Sequence, residues 1–167
     1  TAYEMLRSLV GSEMCIRDSQ LVINQIKEVK MKLDIGSGPK EFWFKPEGKD
    51  WIRLDCEPYE GVTHWVCPER LPAPDNSVEE AYVGQFLIET SPQEHKELAK
   101  ELVRVMRPNG VIRVHCYGMI ATWTEFVKEL EKSGWVPFTE ELVNVVEREG
   151  DLPIRTYMSE IRKINEQ

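Results

Sequence analysis

Two acidic residues and two closely spaced glycines are the residues of this chain best suited to hold a ligand. Asp34 lies two residues before the first glycine of Gly36-Ser37-Gly38, and Asp55 follows 19 residues after Gly36. Glycines let the backbone turn sharply and let a ligand approach without meeting a Cβ atom. If each acid ends a parallel strand, the second carboxylate lies beside the first turn, where it can accept both hydroxyls of a ribose. The spacing therefore favours a nucleoside ligand.

The charges near this turn favour a cationic nucleoside over a dinucleotide. Glu41 occupies the place of the third glycine in a dinucleotide-binding fingerprint, so a pyrophosphate is not expected there. A carboxylate at Asp34 suits the sulfonium and ammonium groups of S-adenosylmethionine (SAM). From spacing alone, a tight turn between two acids at strand ends stays open as the alternative.

The elements that must position these residues alternate between strand and helix, which predicts a mostly parallel sheet. Apolar and β-branched residues predict strands over residues 31–35, 51–55, 62–66, 80–83, 111–116, 135–138 and 157–164. Helical spacing of apolar residues predicts helices over residues 92–106 and 122–132. Ser91 and Glu94 have the spacing of a capping box, and Pro108-Asn109-Gly110 is expected to end the first helix. Residues 140–149 fit either a helix or a strand.

Four motifs in this order resemble those of the class I SAM-dependent methyltransferases. They are Leu33-Asp34-Ile35-Gly36-Ser37-Gly38-Pro39, Leu54-Asp55, the stretch 71–80 and the stretch 105–110. The most distinctive part is Leu71-Pro72-Ala73-Pro74-Asp75-Asn76-Ser77, before the fourth strand. The resemblance implies an α/β fold with a three-layer, Rossmann-like methyltransferase sheet. Its strand order would be 3-2-1-4-5-7-6, with only strand 7 antiparallel.

The resemblance also implies which residues contact the cofactor SAM and its methyl acceptor. The cofactor-binding set would be Asp34, Gly36, Ser37, Gly38, Asp55, Cys56 and Cys67. The acceptor would face Gln85, Glu89, His115 and Tyr117, beyond the carboxyl ends of the strands. For His115 we favour a core histidine over a catalytic base. Cys67 replaces a usual aspartate near the adenine, and Ile88-Glu89 replaces a common Glu-His pair.

The connections after the first two strands are too short for full crossover helices. About fifteen residues separate Gly36 from Trp51, whereas three helical turns take about eleven residues plus connections. We therefore expect shortened helices on one face of the sheet. The uncovered face would carry an apolar patch that residues 20–30, the nearby aromatic residues, or a second copy of the chain or a protein partner could cover, and we favour the second copy or partner. The aromatic residues beside that patch would be Phe42, Trp43, Phe44, Trp51 and Trp65.

The composition is that of one globular domain without a specialised surface. The net charge of -8 argues against a nucleic-acid partner, and no apolar run has the length of a membrane-spanning helix. The four cysteines form no Cys-x-x-Cys pair, so we expect reduced thiols in a cytoplasmic protein and no metal site.

The first residues differ in character from the rest. Residues 8–19 resemble translated sequencing-adapter read-through, and residues 1–30 are expected to be an artefactual or disordered lead-in to a domain over 31–167.

Two functions follow from these residues. The first is SAM-dependent methyl transfer to an unidentified acceptor, expected to be a small molecule. The alternative is a methyltransferase-fold binding or interaction protein without catalytic activity.

Overall fold

The computed structural model describes residues 30–39, 46, 48, 50–65, 69–84, 86–117, 123–146 and 154–164. The chain divides into two units, Thr1–Lys30 and Met31–Gln167, and the description below concerns the second. The expectations for residues 1–29, for Phe42, Trp43 and Phe44, and for Cys67 and Gln85 lie outside the described residues.

Seven strands form one open sheet. They are β1 (Met31–Ile35), β2 (Trp51–Asp55), β3 (Thr63–His64), β4 (Val78–Val83), β5 (Met106–Tyr117), β6 (Trp135–Val146) and β7 (Ile154–Lys163). Their order across the sheet is β3-β2-β1-β4-β5-β7-β6. The pairs from β3 to β5 are parallel, and β7 runs antiparallel to both β5 and β6. The α/β class and the mostly parallel sheet are confirmed.

Three helices follow β4 and β5. They are α1 (Phe86–Glu89), α2 (Pro92–Val105) and α3 (Thr124–Glu131). The predicted capping box is present, because the Ser91 side chain accepts from the Glu94 amide while the Glu94 carboxylate accepts from the Ser91 amide at 2.8 Å. The connection over residues 56–62 contains no helix, whereas the connection between β1 and β2 is described only in part. No described helix is long and apolar enough to cross a membrane.

The end of α2 differs from the sequence-based expectation. Pro108-Asn109-Gly110 does not end the helix, because α2 stops at Val105 and Met106 already has extended backbone. Met106 pairs with Val78, and the register then shifts so that Glu80 pairs with Val111. The intervening residues form an irregularity within β5.

Pairing across the sheet assigns residues 140–146 of the ambiguous segment to a strand. β6 continues to Val146 because its residues pair with β7, with Leu142 opposite Tyr157. The register shifts twice along this pair, which breaks the strict alternation that a strand assignment from sequence relies on.

The sheet has one apolar face and one charged face. Neighbouring residues in register point to the same side, and one side carries the fully buried Leu33, Ile35, Ala81, Val83, Ile112, Val114 and Ile161. The other side carries a chain of ion pairs that joins Lys32, Glu80, Arg113, Glu160 and Arg162. We assign α2 and α3, whose own apolar residues are buried, to the apolar face, since the side chains of this chain of ion pairs stay partly exposed.

The charged face differs from the uncovered apolar face that the short connections predicted. A parallel sheet usually needs cover on both faces because its strands are apolar on each side, but here alternate residues are charged. Trp51 lies beneath the Lys32 ammonium, 5.4 Å from the ring centroid, and Trp65 is buried. The large apolar side chains that are exposed among the described residues lie elsewhere, at Ile88, Phe138, Leu142, Val143 and Ile164. Association with a second chain or a protein partner stays a prediction.

Candidate functional site

The glycine turn after β1 is fixed to the end of β2 by backbone hydrogen bonds. The amides of Gly36 and Ser37 both donate to the Leu54 carbonyl oxygen, at 2.9 and 3.1 Å. Gly36 and Gly38 have φ of 70° and 61°, the left-handed region in which a residue without a Cβ carries little strain. The turn therefore lies beside the strand that ends in Asp55.

The Asp55 carboxylate lies against this turn. Its Oδ2 accepts from the Gly38 amide at 2.7 Å, and its Oδ1 accepts from the Glu57 amide at 3.0 Å. The side chain is buried, with 9% exposed. The structure thus brings the glycine turn and the second acid together, although the contacting residues Gly38 and Asp55 are 17 residues apart in sequence.

The Asp34 carboxylate is buried and paired with an arginine. Arg53 on β2 donates from Nη1 to Asp34 Oδ2 at 2.6 Å, and Asp34 is 1% exposed. The second guanidinium nitrogen donates to the Pro46 carbonyl oxygen at 3.3 Å. Sequence reasoning missed Arg53, although an arginine in the middle of a short strand beside a buried acid was a usable signal.

Gly36 is required by the packing of the chain itself. A Cβ atom at Gly36 would lie 2.8 Å from the backbone nitrogen of Phe86, the first residue of α1. The Phe86 ring packs on Trp65, with centroids 5.8 Å apart. The first glycine therefore lets α1 approach the turn, a role that the sequence pattern did not indicate.

Replacing Gly36 with alanine is expected to destabilise the fold by about 1 kcal/mol more than the matched change at Gly61. Both glycines have positive φ, but a Cβ at Gly61 meets nothing within 4 Å. Gly61→Ala therefore measures the backbone strain alone, and Gly36→Ala adds the clash with Phe86. Urea unfolding of the two variants gives the difference, and equal losses would show that α1 shifts freely.

Ser37 within the turn and Cys56 after Asp55 add two further polar groups to this site. Ser37 is 4% exposed, and its hydroxyl oxygen has no hydrogen-bond partner among the described residues. A buried polar atom without a partner fits a site in which a ligand supplies one. The Cys56 thiol lies 3.6 Å from Asp55 Oδ1. Desolvation and the Asp55 carboxylate raise the pKa of Cys56, which keeps the thiol protonated.

The residues expected to face an acceptor differ in their burial and in their position in the fold. His115 is buried, and its ring stacks on Tyr82 with centroids 6.4 Å apart. Burial lowers the pKa of His115, so the imidazole is neutral at neutral pH. Burial, and then the Asp34 charge, raise the pKa of the Tyr82 phenol. Glu89 is exposed at the end of α1, and the backbone of Tyr117 pairs with Thr156 at the end of β5.

Acidification below about pH 6.5 is expected to reduce the free energy of unfolding through two buried histidines. Burial lowers the pKa of His95 and of His115 in the folded protein. In this window the unfolded chain therefore binds more protons than the folded one. The loss would reach up to about 1.4 kcal/mol per pH unit for each histidine.

Urea unfolding between about pH 7 and about pH 5 measures this slope. His95→Gln should reduce it, whereas the carboxylates with lowered pKa, such as Glu101 and Glu160, titrate at lower pH. A slope that His95→Gln and His115→Gln both leave unchanged contradicts the assignment.

The described residues contain no group of three or more His, Cys, Asp or Glu side chains arranged to hold a metal ion. The site as described therefore consists of the glycine turn, two carboxylates, one hydroxyl and the neighbouring α1.

Comparison with known proteins connects this geometry to one fold. A SAM-dependent methyltransferase from Archaeoglobus fulgidus superposes with a TM-score of 0.61 at 16% identity, covering 86% of this chain and 90% of that one. A 1,6-didemethyltoxoflavin-N1-methyltransferase from Burkholderia thailandensis, crystallised with 1,6-didemethyltoxoflavin and S-adenosylhomocysteine, gives 0.58 at 13% identity. That match covers 98% of this chain and 84% of the other. The fold is that of the SAM-dependent methyltransferases.

A third methyltransferase, from Methanosarcina mazei, gives a TM-score of 0.54 at 13% identity and covers 86% of this chain and 98% of its own. Neither a family model nor a curated protein sequence matches the chain. The methyltransferase fold is thus established by structure at low sequence identity.

Proposed function

We propose that this protein transfers a methyl group from SAM to a small-molecule acceptor. The observation that supports this most directly is the contact between Asp55 and the Gly38 amide, at 2.7 Å. It joins a glycine turn and an acid at the carboxyl ends of adjacent parallel strands, where open α/β sheets bind their ligands. The methyltransferase fold agrees with the same assignment.

The residues present fit SAM by their chemistry. Asp55 Oδ2 accepts the Gly38 amide and keeps a further lone pair, and Oδ1 accepts the Glu57 amide and the weakly donating Cys56 thiol, which a ribose hydroxyl can replace. The Ser37 hydroxyl, which lacks a protein partner among the described residues, can bond a polar group of the methionine portion. In this proposal Cys56, and Cys67 beyond the described residues, border the adenine.

Methyl transfer needs little acid–base chemistry from the protein. Bound SAM would supply a methyl group on a sulfonium, from which S-adenosylhomocysteine leaves readily as a neutral thioether, so alignment of the acceptor would supply much of the rate. A base is needed only if the acceptor must lose a proton. A buried, neutral His115 and an exposed Glu89 are compatible with an acceptor that attacks without strong base assistance.

Calorimetric titration with SAM, S-adenosylhomocysteine and NAD tests the proposal. We expect the first two to bind and NAD not to compete, because Glu41 replaces the glycine that a pyrophosphate would need. Formation of S-adenosylhomocysteine from SAM in the presence of small-molecule acceptors then tests transfer. Tight binding of NAD, or no binding of either SAM derivative, overturns the assignment.

A binding protein without catalytic activity is the second candidate. Both carboxylates already accept internal donors, Asp34 from Arg53 and Asp55 from two backbone amides. Such a site could bind S-adenosylhomocysteine and SAM with similar affinity and produce no turnover. Binding without transfer to any tested class of acceptor would favour this second function.

A further inference from the structure

The buried acid of β1 lies in a row of polar side chains across three strands. Arg53, Asp34 and Tyr82 are in register on β2, β1 and β4, so their side chains share the charged face of the sheet. Asp34 is 1% exposed, and the Arg53 side chain is 22% exposed. A carboxylate at this depth is costly unless a cation or several donors compensate its charge.

Arg53 provides this compensation. Its Nη1 lies 2.6 Å from Asp34 Oδ2, the distance of a charge-assisted hydrogen bond. Among the described residues of this face, two other cations are engaged with other acids. Lys32 pairs with Glu80 at 3.1 Å, and Arg113 pairs with Glu80 and with Glu160.

The same guanidinium also reaches the connection before β2. Nη2 donates to the Pro46 carbonyl oxygen at 3.3 Å. One side chain therefore holds the end of β1, from which the glycine turn starts, and a point on the chain between that turn and β2. The planar fork of arginine permits both contacts at once, whereas a lysine ammonium is a single point of charge.

We propose that Arg53 is a positioning residue of the ligand site, and that the two acids have separate roles. Arg53 neutralises Asp34 within the protein, and Asp34 supports the turn. Of the two carboxylates, Asp55 presents its charge to the ligand. The statement about Asp55 rests on the proposed function, whereas the statement about Arg53 and Asp34 rests on geometry alone.

Stability as a function of pH tests, without a ligand, whether Arg53 neutralises Asp34. Arg53→Met keeps the length of the stem and removes the charge, which leaves Asp34 facing Tyr82 on β4 with Lys32 and Glu80 next along the same face. A buried carboxylate that has lost this cation retains a proton more readily than it does beside Arg53. The folded variant then binds more protons than the folded natural protein, so its stability relative to that protein falls as pH rises from about 5 to about 8.

We expect the urea midpoint of Arg53→Met, measured relative to that of the natural sequence at the same pH, to fall across this range. The double variant Asp34→Asn/Arg53→Met lacks both charges and should lose the extra fall. Arg162→Met, which breaks an exposed pair with Glu160 on the same face, is the matched control and should leave the profile unchanged.

If Arg53→Met does not fold, a folded double variant supports the proposal, and an equally unfolded one overturns it. A pH profile of Arg53→Met identical to that of the natural sequence also overturns it.

Calorimetry with SAM tests whether Asp55, rather than Asp34, presents its charge to the ligand, by asking whether a second substitution restores the affinity that Asp34→Asn loses. Asp34→Asn leaves the Arg53 cation uncompensated near a cationic ligand, and should weaken SAM binding by about tenfold. Adding Arg53→Met removes that cation and should restore affinity to within roughly threefold of the natural sequence, and the remaining deficit reflects the lost contacts of Arg53 with Asp34 and the Pro46 carbonyl. If the double variant binds as weakly as Asp34→Asn, Asp34 contacts the ligand itself and the proposal is wrong. If the natural sequence does not bind SAM, the proposed function fails, while the pH profile still decides the role of Arg53.

Discussion

Replacing Asp55 with alanine is expected to weaken SAM binding by about 2 kcal/mol or more, roughly 30-fold in Kd. Two effects contribute to the loss. The ribose hydroxyls lose a charged acceptor, and the Gly38 amide loses the carboxylate that holds the turn at 2.7 Å. Calorimetric titration with SAM and with S-adenosylhomocysteine measures the change, and both ligands should be affected because both carry the ribose.

Two further variants separate ligand contact from turn geometry. Asp55→Asn lacks the charge and keeps one oxygen, which can accept either the Gly38 or the Glu57 amide but not both as now, so it should keep the fold and lose most of the affinity. Glu57→Gln removes a neighbouring, exposed charge whose side chain has no part in the proposed contact, and should bind normally. Full affinity in both Asp55 variants would place the ligand elsewhere on the protein.

Replacing Arg104 with methionine is expected to reduce the free energy of unfolding by about 3 kcal/mol. The guanidinium donates to the carbonyl oxygens of Leu71 and Ala73, at 3.1 and 2.9 Å. It also pairs with Asp75 at 2.7 Å and with both oxygens of Glu101. Since the side chain is 27% exposed, part of this electrostatic contribution is screened by water, and the expected loss includes that reduction.

Lys100→Met is the control for this prediction. Lys100 lies on the same helix and forms an exposed pair with Glu97 at 3.2 Å, so its loss should change stability by less than about 0.5 kcal/mol. Urea unfolding of both variants at neutral pH gives the comparison. An Arg104→Met variant as stable as Lys100→Met would mean that the other contacts of residues 71–77 with α2 are enough to hold this loop.

Arg104 also explains why the run Leu71 to Ser77 is distinctive. Besides the side-chain contacts, the Arg104 carbonyl accepts from the Asn76 amide at 3.0 Å, and Asn76 has a φ of 52°. The Ser77 hydroxyl donates to the Pro74 carbonyl at 2.7 Å. The sequence identified this run by its resemblance to a family, and the structure shows that its polar residues fix a loop against α2.

The features that the sequence determined are those set by neighbours along the chain. The capping box joins Ser91 to Glu94, three residues apart, and the glycine turn follows directly from the end of β1. The placement of Asp55 beside that turn was also predictable, because the carboxyl ends of adjacent parallel strands meet at one edge of a sheet.

Tertiary structure decided which groups meet across strands. Asp34 was predicted as a ligand contact, and its ion pair with Arg53 became visible only once β1 and β2 lay in register. The packing of Phe86 over Gly36 and the extension of β6 to Val146 likewise depend on residues distant in sequence. Local patterns fix backbone conformation and the alternation of side chains, but the partner of a buried charge is set by strand order and register. Those are properties of the whole sheet, so no local stretch of sequence specifies them.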